Sequence, residues 1–488
     1  MKISVVEVAL GRTPAATRMP FRFGAVTVRE AEFLTCRVRV RAAGDGGREV
    51  AGWSGDLLVP RWFRKDNDAT PSQDADALAE AAQQAADGFA AQSADTAFGL
   101  WRSTYGDRVG RQPSDRPDLL VRGFGVALVE RAVLDAVCRL AAMPFAQALR
   151  EDLFGFRPGD VHESLRDWQW QQDLPQSPSS KIHVRHTVGM LDSLRAADID
   201  AAARVEDGLP QALEEDIDRY GLRWFKIKIG AGIDADRQRL LDLAAFFAER
   251  ASNGGGGGGG GEAFAMAGFS LDGNEQYQDT EQLAELLELV HSDPLGRDFL
   301  ERLAWIEQPL ARGVTFEPAR HKAVSRVAKF GPLILDEADV SIDAFPRALE
   351  LGYRGISVKN CKGVFRALCN AGLCRLQEGR FQTGEDLTNV GVLPLQQDLV
   401  TASVLGLPHV ERNGHHYFRG LDHLGAERAE RALAAHGDLY QRLGSSSAAL
   451  RIEEGQIDAS SALAAKGYGT EMQDLVDGLQ VAASGDAG

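Results

Sequence analysis

Cysteine is scarce in this chain and long apolar runs are absent. The five cysteines among 488 residues, Cys36, Cys138, Cys361, Cys369 and Cys374, form no C-x-x-C pair and no metal-finger spacing. A disulfide framework is thereby excluded, and reduced thiols in a cytoplasm are expected. No stretch approaches the roughly 18 consecutive apolar residues of a membrane span. The opening MKISVVEVALGRTP lacks the apolar core of a signal peptide, so a soluble, cytoplasmic protein without a membrane partner is expected. Positive charge is also in short supply. With 54 Lys and Arg against 70 Asp and Glu, the formal charge is −16, and no basic patch interrupts it. Such a field repels polyanions, which excludes nucleic acid as the expected partner. Hydrophobic residues at 44% and charged residues at 25% are ordinary for a folded soluble protein.

What is present divides into two patterns. Residues 1 to about 60 alternate apolar and polar side chains, as in EFLTCRVRVRAAG, and predict an antiparallel meander. An Ala- and Gln-rich stretch from Asp66 to Arg102 predicts helix, and so does Ala127 to Met143, where Val129, Ala132, Val133, Ala136 and Val137 recur at three and four. This first unit, residues 1–145, is α+β. Beyond about residue 180, eight short apolar runs are separated by amphipathic helical segments: IHVRHTVG, WFKIKIG, FSLDGN, LAWIEQP, PLILDE, GISVKN, RFQTGED and HVERNG. Their spacing suits the roughly 31 residues of one unit of a β/α barrel, and residues 146–440 are assigned to it. The uninterrupted glycines Gly254 to Gly261 read as a flexible insertion. Residues 441–488 are expected to return to the first unit.

Alternation along the strands decides which side chains enter the barrel. In WFKIKIG, Phe225, Ile227 and Ile229 must face the helices, which turns Lys226 and Lys228 inward. The same parity sends Asp272, Glu307 and Asp336 inward at the ends of three consecutive strands, and Lys359 inward two strands after Glu307. Taken singly, K-x-K is a solvated edge strand, each acid a helix cap, and Lys359 a loop lysine. Together, three converging carboxylates repel one another and call for a hard divalent cation with oxygen ligands, which suits Mg²⁺, with Mn²⁺ as a substitute.

KIK, LDGN, IEQP, LDE and SVKNCKG, in this order, resemble the enolase superfamily, and specifically the muconate-lactonizing-enzyme-like subgroup of its mandelate racemase/muconate lactonizing enzyme family. PFRFGAV (20 to 26) and AGWSGD (51 to 56) resemble the two capping-domain loops of that superfamily. VERAVLDAVCRLAAMPFAQAL resembles the helix leading into its barrel. The resemblance implies an α/β fold, a modified TIM-like barrel with an N-terminal α+β capping domain. Asp272, Glu307 and Asp336 would hold Mg²⁺, Lys228 and Lys359 would be acid/base catalysts on opposite faces of a small carboxylate substrate, and Lys226 would be their electrostatic neighbour. Phe21, Phe23 and Trp53 would lie on the substrate loops, with Glu385 as a further candidate. Asp386 and Glu411 also end strands, where helix capping or solvation is the default.

The implied reaction is abstraction of the proton next to a carboxylate through an enediolate, chiefly racemisation or epimerisation. Cycloisomerisation and syn-dehydration are alternatives within the superfamily. A Schiff-base lyase using either lysine, or a metal-stabilised barrel without activity, are alternatives outside it. The sequence departs from the pattern at NCKGV, with one glycine where relatives carry two. It has no histidine on RFQTGED, which counts against the mandelate-racemase-like subgroup. A homo-oligomer is expected.

Overall fold

Alternation in the first 42 residues builds a long antiparallel hairpin, β1 (Ile3–Phe23) against β2 (Val26–Ala42), and β3 (Glu49–Leu57) lies on the far side of β2. The computed structural model describes all residues except 24–25, 45–46, 66–67, 112–115, 117, 253–263, 474–479 and 482–488. The glycine run read as a flexible insertion lies outside the described residues. Three helices cover one face of the sheet region. α1 (Pro71–Ala90) starts with a capping box in which Thr70 and Gln73 exchange side-chain and backbone hydrogen bonds, and Pro71 opens its first turn. α2 (Ala97–Arg108) follows. α3 (Leu119–Ala141) starts earlier than the periodicity from Ala127 suggests, and it is buried along nearly all its length. It approaches β3 so closely that a Cβ on Gly52 would lie 2.2 Å from the Ala132 carbonyl oxygen.

The eight apolar runs become β4 (Lys181–Val188), β5 (Trp224–Lys228), β6 (Gly268–Asp272), β7 (Leu303–Glu307), β8 (Leu333–Leu335), β9 (Gly355–Val358), β10 (Phe381–Gly384) and β11 (His409–Arg412). Each pairs in parallel with the next, and β11 pairs with β4 from His409↔His183 to Arg412↔His186, which closes the barrel. The outward residues behave as their alternation requires. Phe225, Ile227, Phe269, Leu271, Ile306 and Ile356 are fully buried against the helices, with Phe225 meeting Phe247 and Phe269 stacked on Phe299. Each such side chain contributes about 1.5–3 kcal/mol of burial.

After the barrel, Gln456–Asp458 pairs antiparallel with β4, and the chain then reaches the first unit. Tyr468 stacks on Phe145 with centroids 4.2 Å apart, and its backbone N–H donates to Asp135 Oδ1 on α3 at 2.6 Å. Asp135 Oδ2 accepts from Trp53 N and Arg139 Nε, so one carboxylate ties together β3, α3 and the C-terminal segment. Gln480–Val481 then pairs with β1. Among the described residues no helix is long and apolar enough to cross a membrane.

Candidate active site

The parity of β5 to β9 gathers the charged side chains at the C-terminal end of the barrel. Lys228 is registered beside Asp272, and Asp272 beside Glu307. Lys226, one residue pair deeper, is 1% exposed, and its Nζ is 3.0 Å from Asp272 Oδ2, 2.9 Å from Glu307, 2.8 Å from Glu385 Oε2 and 3.0 Å from Glu411 Oε2. Burial alone would discharge this lysine, but the four surrounding carboxylates outweigh it and hold the ammonium well above its ordinary pKa. Beneath it, Arg185 of β4 pairs with Glu385, and Thr187 donates to Glu411 at 2.6 Å. Above it, Lys228 Nζ lies 2.5 Å from Asp272 Oδ2 and is less deeply buried.

A second group stands across the barrel. β5 and β9 are four positions apart in an eight-membered ring, so Lys228 and Lys359 rise from diametrically opposite strands. Lys359 Nζ donates to Asp336 Oδ2 at 2.6 Å. Lys362 reaches Asp336 Oδ1 and Asp339 Oδ2, each at 3.2 Å, and Ser357 Oγ also donates to Asp336. Although burial pushes the Asp336 carboxyl up, Lys359, Lys362 and Lys226 hold it far below the usual range. Asn274 links Asp272 to Glu337, whose carboxyl is raised to about 7 by burial and by the neighbouring acids.

Asp272, Glu307 and Asp336 thus end three adjacent strands, and their oxygens are held by ammonium groups. Glu307 is the least satisfied. Its Oε2 accepts no well-directed hydrogen bond, and burial together with Glu385, Asp272 and Asp336 raises its pKa well above the carboxylate range against the pull of Lys226. A buried acid short of positive charge, in a set made only of oxygen donors, fits a hard divalent cation such as Mg²⁺. Among the described residues, the one group of His, Cys, Asp or Glu atoms lying within 4.8 Å of one another is His186, Asp216 and His416. That group sits on the outer side of the barrel wall, apart from these acids.

No family model and no curated protein matches the chain. Solved structures do match. A muconate lactonizing enzyme from Pseudomonas fluorescens, complexed with muconolactone, aligns over 98% of this chain and 96% of its own at 16% identity, with a TM-score of 0.58. An enolase from Bradyrhizobium complexed with magnesium and mandelic acid aligns over 94% and 93% at 16% identity, TM-score 0.56. A dipeptide epimerase from Enterococcus faecalis, complexed with Mg and the dipeptide L-Leu-L-Tyr, aligns over 86% and 92% at 13% identity, TM-score 0.55. This chain has the enolase-superfamily fold.

Within the enolase-superfamily fold the capping unit meets the barrel differently from the sequence expectation. Phe21 is near the tip of the β1–β2 hairpin, with its ring 4.2 Å from Tyr417, which follows β11. The side chain of Phe23 lies outside the described residues. Trp53 is not a loop residue: it sits within β3, 4% exposed, with its N–H bonded to Asp135 and its carbonyl accepting from Gln397. Glu385 is likewise not on a substrate loop. Its carboxylate is sealed between Arg185 and Lys226 under the mouth, and its pKa is raised to about 7 by burial, which those two cations only partly offset. Asp386 accepts from Asn389 N and Asn413 N, and so shapes the loops after β10 and β11.

The capping residues that do reach the mouth follow β3. The Trp62 indole covers Lys359 Nζ at 4.4 Å, and Lys65 pairs with Glu275 at 3.0 Å. Arg312, also bonded to Glu275, donates to the carbonyl oxygens of Trp62 and Phe63. The sequence signal for this segment was the run RWFRK directly after β3, and Lys362 stood unassigned within SVKNCKG.

Proposed function

We propose that this protein is a magnesium-dependent isomerase that removes and returns the proton next to a carboxylate, racemising or epimerising a small carboxylate substrate. The observation that carries the reading is the placement of Lys228 and Lys359 on opposite strands, flanking the three acids. Inversion at carbon needs one group to take the proton from one face and another to deliver a proton to the other face. Cycloisomerisation and syn-dehydration need only one such face, so an opposed pair favours racemisation. That one fold-level relative is a dipeptide epimerase is compatible with this choice.

Asp272, Glu307 and Asp336 would hold the Mg²⁺, which when bound supplies Lewis-acid stabilisation of the charge that develops on the substrate carboxylate. The remaining work belongs to the chain. Lys226, fixed by Glu385 and Glu411, keeps positive charge beneath the acids. Trp62 covers Lys359 and excludes water from its ammonium. The Nζ atoms of Lys228 and Lys359 carry the proton in and out.

Incubation with Mg²⁺ in D₂O and pooled 2-hydroxy acids, N-acyl amino acids and dipeptides, read by mass spectrometry, tests this. Deuterium at the α-carbon is expected for at least one class. Lys228→Ala and Lys359→Ala should each lose net turnover, while one of them still exchanges a single stereoisomer. Wild-type exchange of both isomers by both variants would overturn the two-lysine assignment.

A further inference from the structure

His186, Asp216 and His416 come from three separate elements and meet behind the barrel wall. His186 points outward from β4, Asp216 lies on the helix Leu213–Tyr220, and His416 lies in the turn of helix Gly414–Tyr417 directly after β11. All three are buried, and Asp216 is fully so. His416 Nδ1 is 3.0 Å from Asp216 Oδ2, and His186 Nε2 is 3.8 Å from the same oxygen.

Neither Asp216 oxygen and neither His416 nitrogen makes a hydrogen bond. A buried carboxylate without a well-directed donor is uncommon in native structures, even where neighbouring imidazoles face it. A simple imidazolium–carboxylate pair would aim the ring N–H at the oxygen. Here the contact is short, yet neither atom makes a well-directed hydrogen bond. Atoms that converge on an ion behave this way: with bonds of about 2.0–2.2 Å in a tetrahedron, ligand atoms stand roughly 3.3 Å apart, within the span of the two distances seen.

We propose that these three residues form a second divalent-cation site, distinct from the barrel mouth, for a borderline transition metal of the Zn²⁺ class. Two imidazoles and one carboxylate are nitrogen-rich compared with the all-oxygen mouth, and this selects against Mg²⁺. The second Asp216 oxygen, also without a partner, can fill the fourth position. His186 Nδ1 lies 3.2 Å from His415 Nε2, the outer hydrogen bond that fixes a ligating imidazole in one tautomer.

The position gives the cation a structural task. β4 and β11 form the seam that closes the barrel, and Arg412 and His186 are paired across it. The capping hairpin rests on the same place: Arg18 donates to the His416 carbonyl oxygen at 2.9 Å and pairs with Asp207, and Phe21 packs on Tyr417. A bound ion would therefore clasp the seam and the footing of the hairpin together.

The test uses the whole protein, stripped with chelator and titrated with Co²⁺ in excess Mg²⁺. One equivalent with the intense visible absorption of a four-coordinate nitrogen/oxygen site is expected, displaced by Zn²⁺, together with a Zn²⁺-dependent rise in Tm of at least ~3 °C. His416→Gln and Asp216→Asn should lose the band and the Tm rise, whereas Glu307→Gln in the mouth should keep both. Absence of the band in the wild type, its survival in His416→Gln, or its loss in Glu307→Gln would overturn the proposal. If either site variant fails to fold, the wild-type spectrum and the Glu307→Gln control still decide it.

Discussion

The indole of Trp62, from the capping unit, lies 4.4 Å over the ammonium of Lys359, from the barrel. A cation over an indole face gains about 0.5–2 kcal/mol, and the ring also shields the amine from solvent. Trp62→Ala should therefore raise the rate at which an acylating reagent modifies Lys359 by about tenfold, and Trp62→Phe by less. Peptide mapping by mass spectrometry reads this directly. Equal labelling in all three proteins would show that the ring does not guard the amine.

Lys226 is the shared counter-ion of Asp272, Glu307, Glu385 and Glu411. Lys226→Met keeps the bulk but leaves those carboxylates unbalanced, and breaking a buried ion pair costs about 3–5 kcal/mol. The loss should be largest in chelator and smaller in excess Mg²⁺, because a cation at the mouth would restore part of the missing charge. Denaturant midpoints under both conditions check it. A loss unaffected by Mg²⁺ would separate the lysine network from the proposed metal set.

Glu130 on α3 is buried, and its Oε1 accepts from Phe365 N at 2.7 Å. Burial raises its carboxyl to about 8, since the backbone N–H of Phe365 and nearby arginines only partly compensate. The folded protein thus keeps a proton that the unfolded chain releases near its ordinary value. Stability from this group falls as pH climbs from about 4.5 to about 8, and the full penalty stands above that. Glu130→Gln keeps the acceptor and removes the titration. The variant should gain on the wild type across that window, up to a ceiling of about 5 kcal/mol. Thermal melts from pH 5 to pH 9 would show it, and parallel curves would refute it.

Much of this site could be read in advance because a barrel strand has no choice of facing. Once Phe225, Ile227 and Ile229 must meet helices, Lys226 and Lys228 must enter the barrel, and the same holds for Asp272, Glu307, Asp336 and Lys359. Arg185 was open to the same parity argument on KIHVRHTV, where neighbouring histidines drew no assignment. Trp53 was placed on a loop by the resemblance of AGWSGD to a capping loop, whereas it lies within β3. Gly52 is there for a different reason: α3 lies so close that no side chain fits. Trp62 over Lys359, and the meeting of His186 with Asp216 and His416, depend on how distant segments dock. No spacing along the chain records either one.

The triple acceptor at Asp135 has an implication for biosynthesis. A ribosome delivers β3 and α3 early and Tyr468 only after every barrel strand, yet all three share that one carboxylate. The first-made unit must therefore wait, incompletely bonded, while the later-made barrel folds. Any nascent chain that stalls before Tyr468 would present an unfinished first unit to the quality-control machinery of the cell.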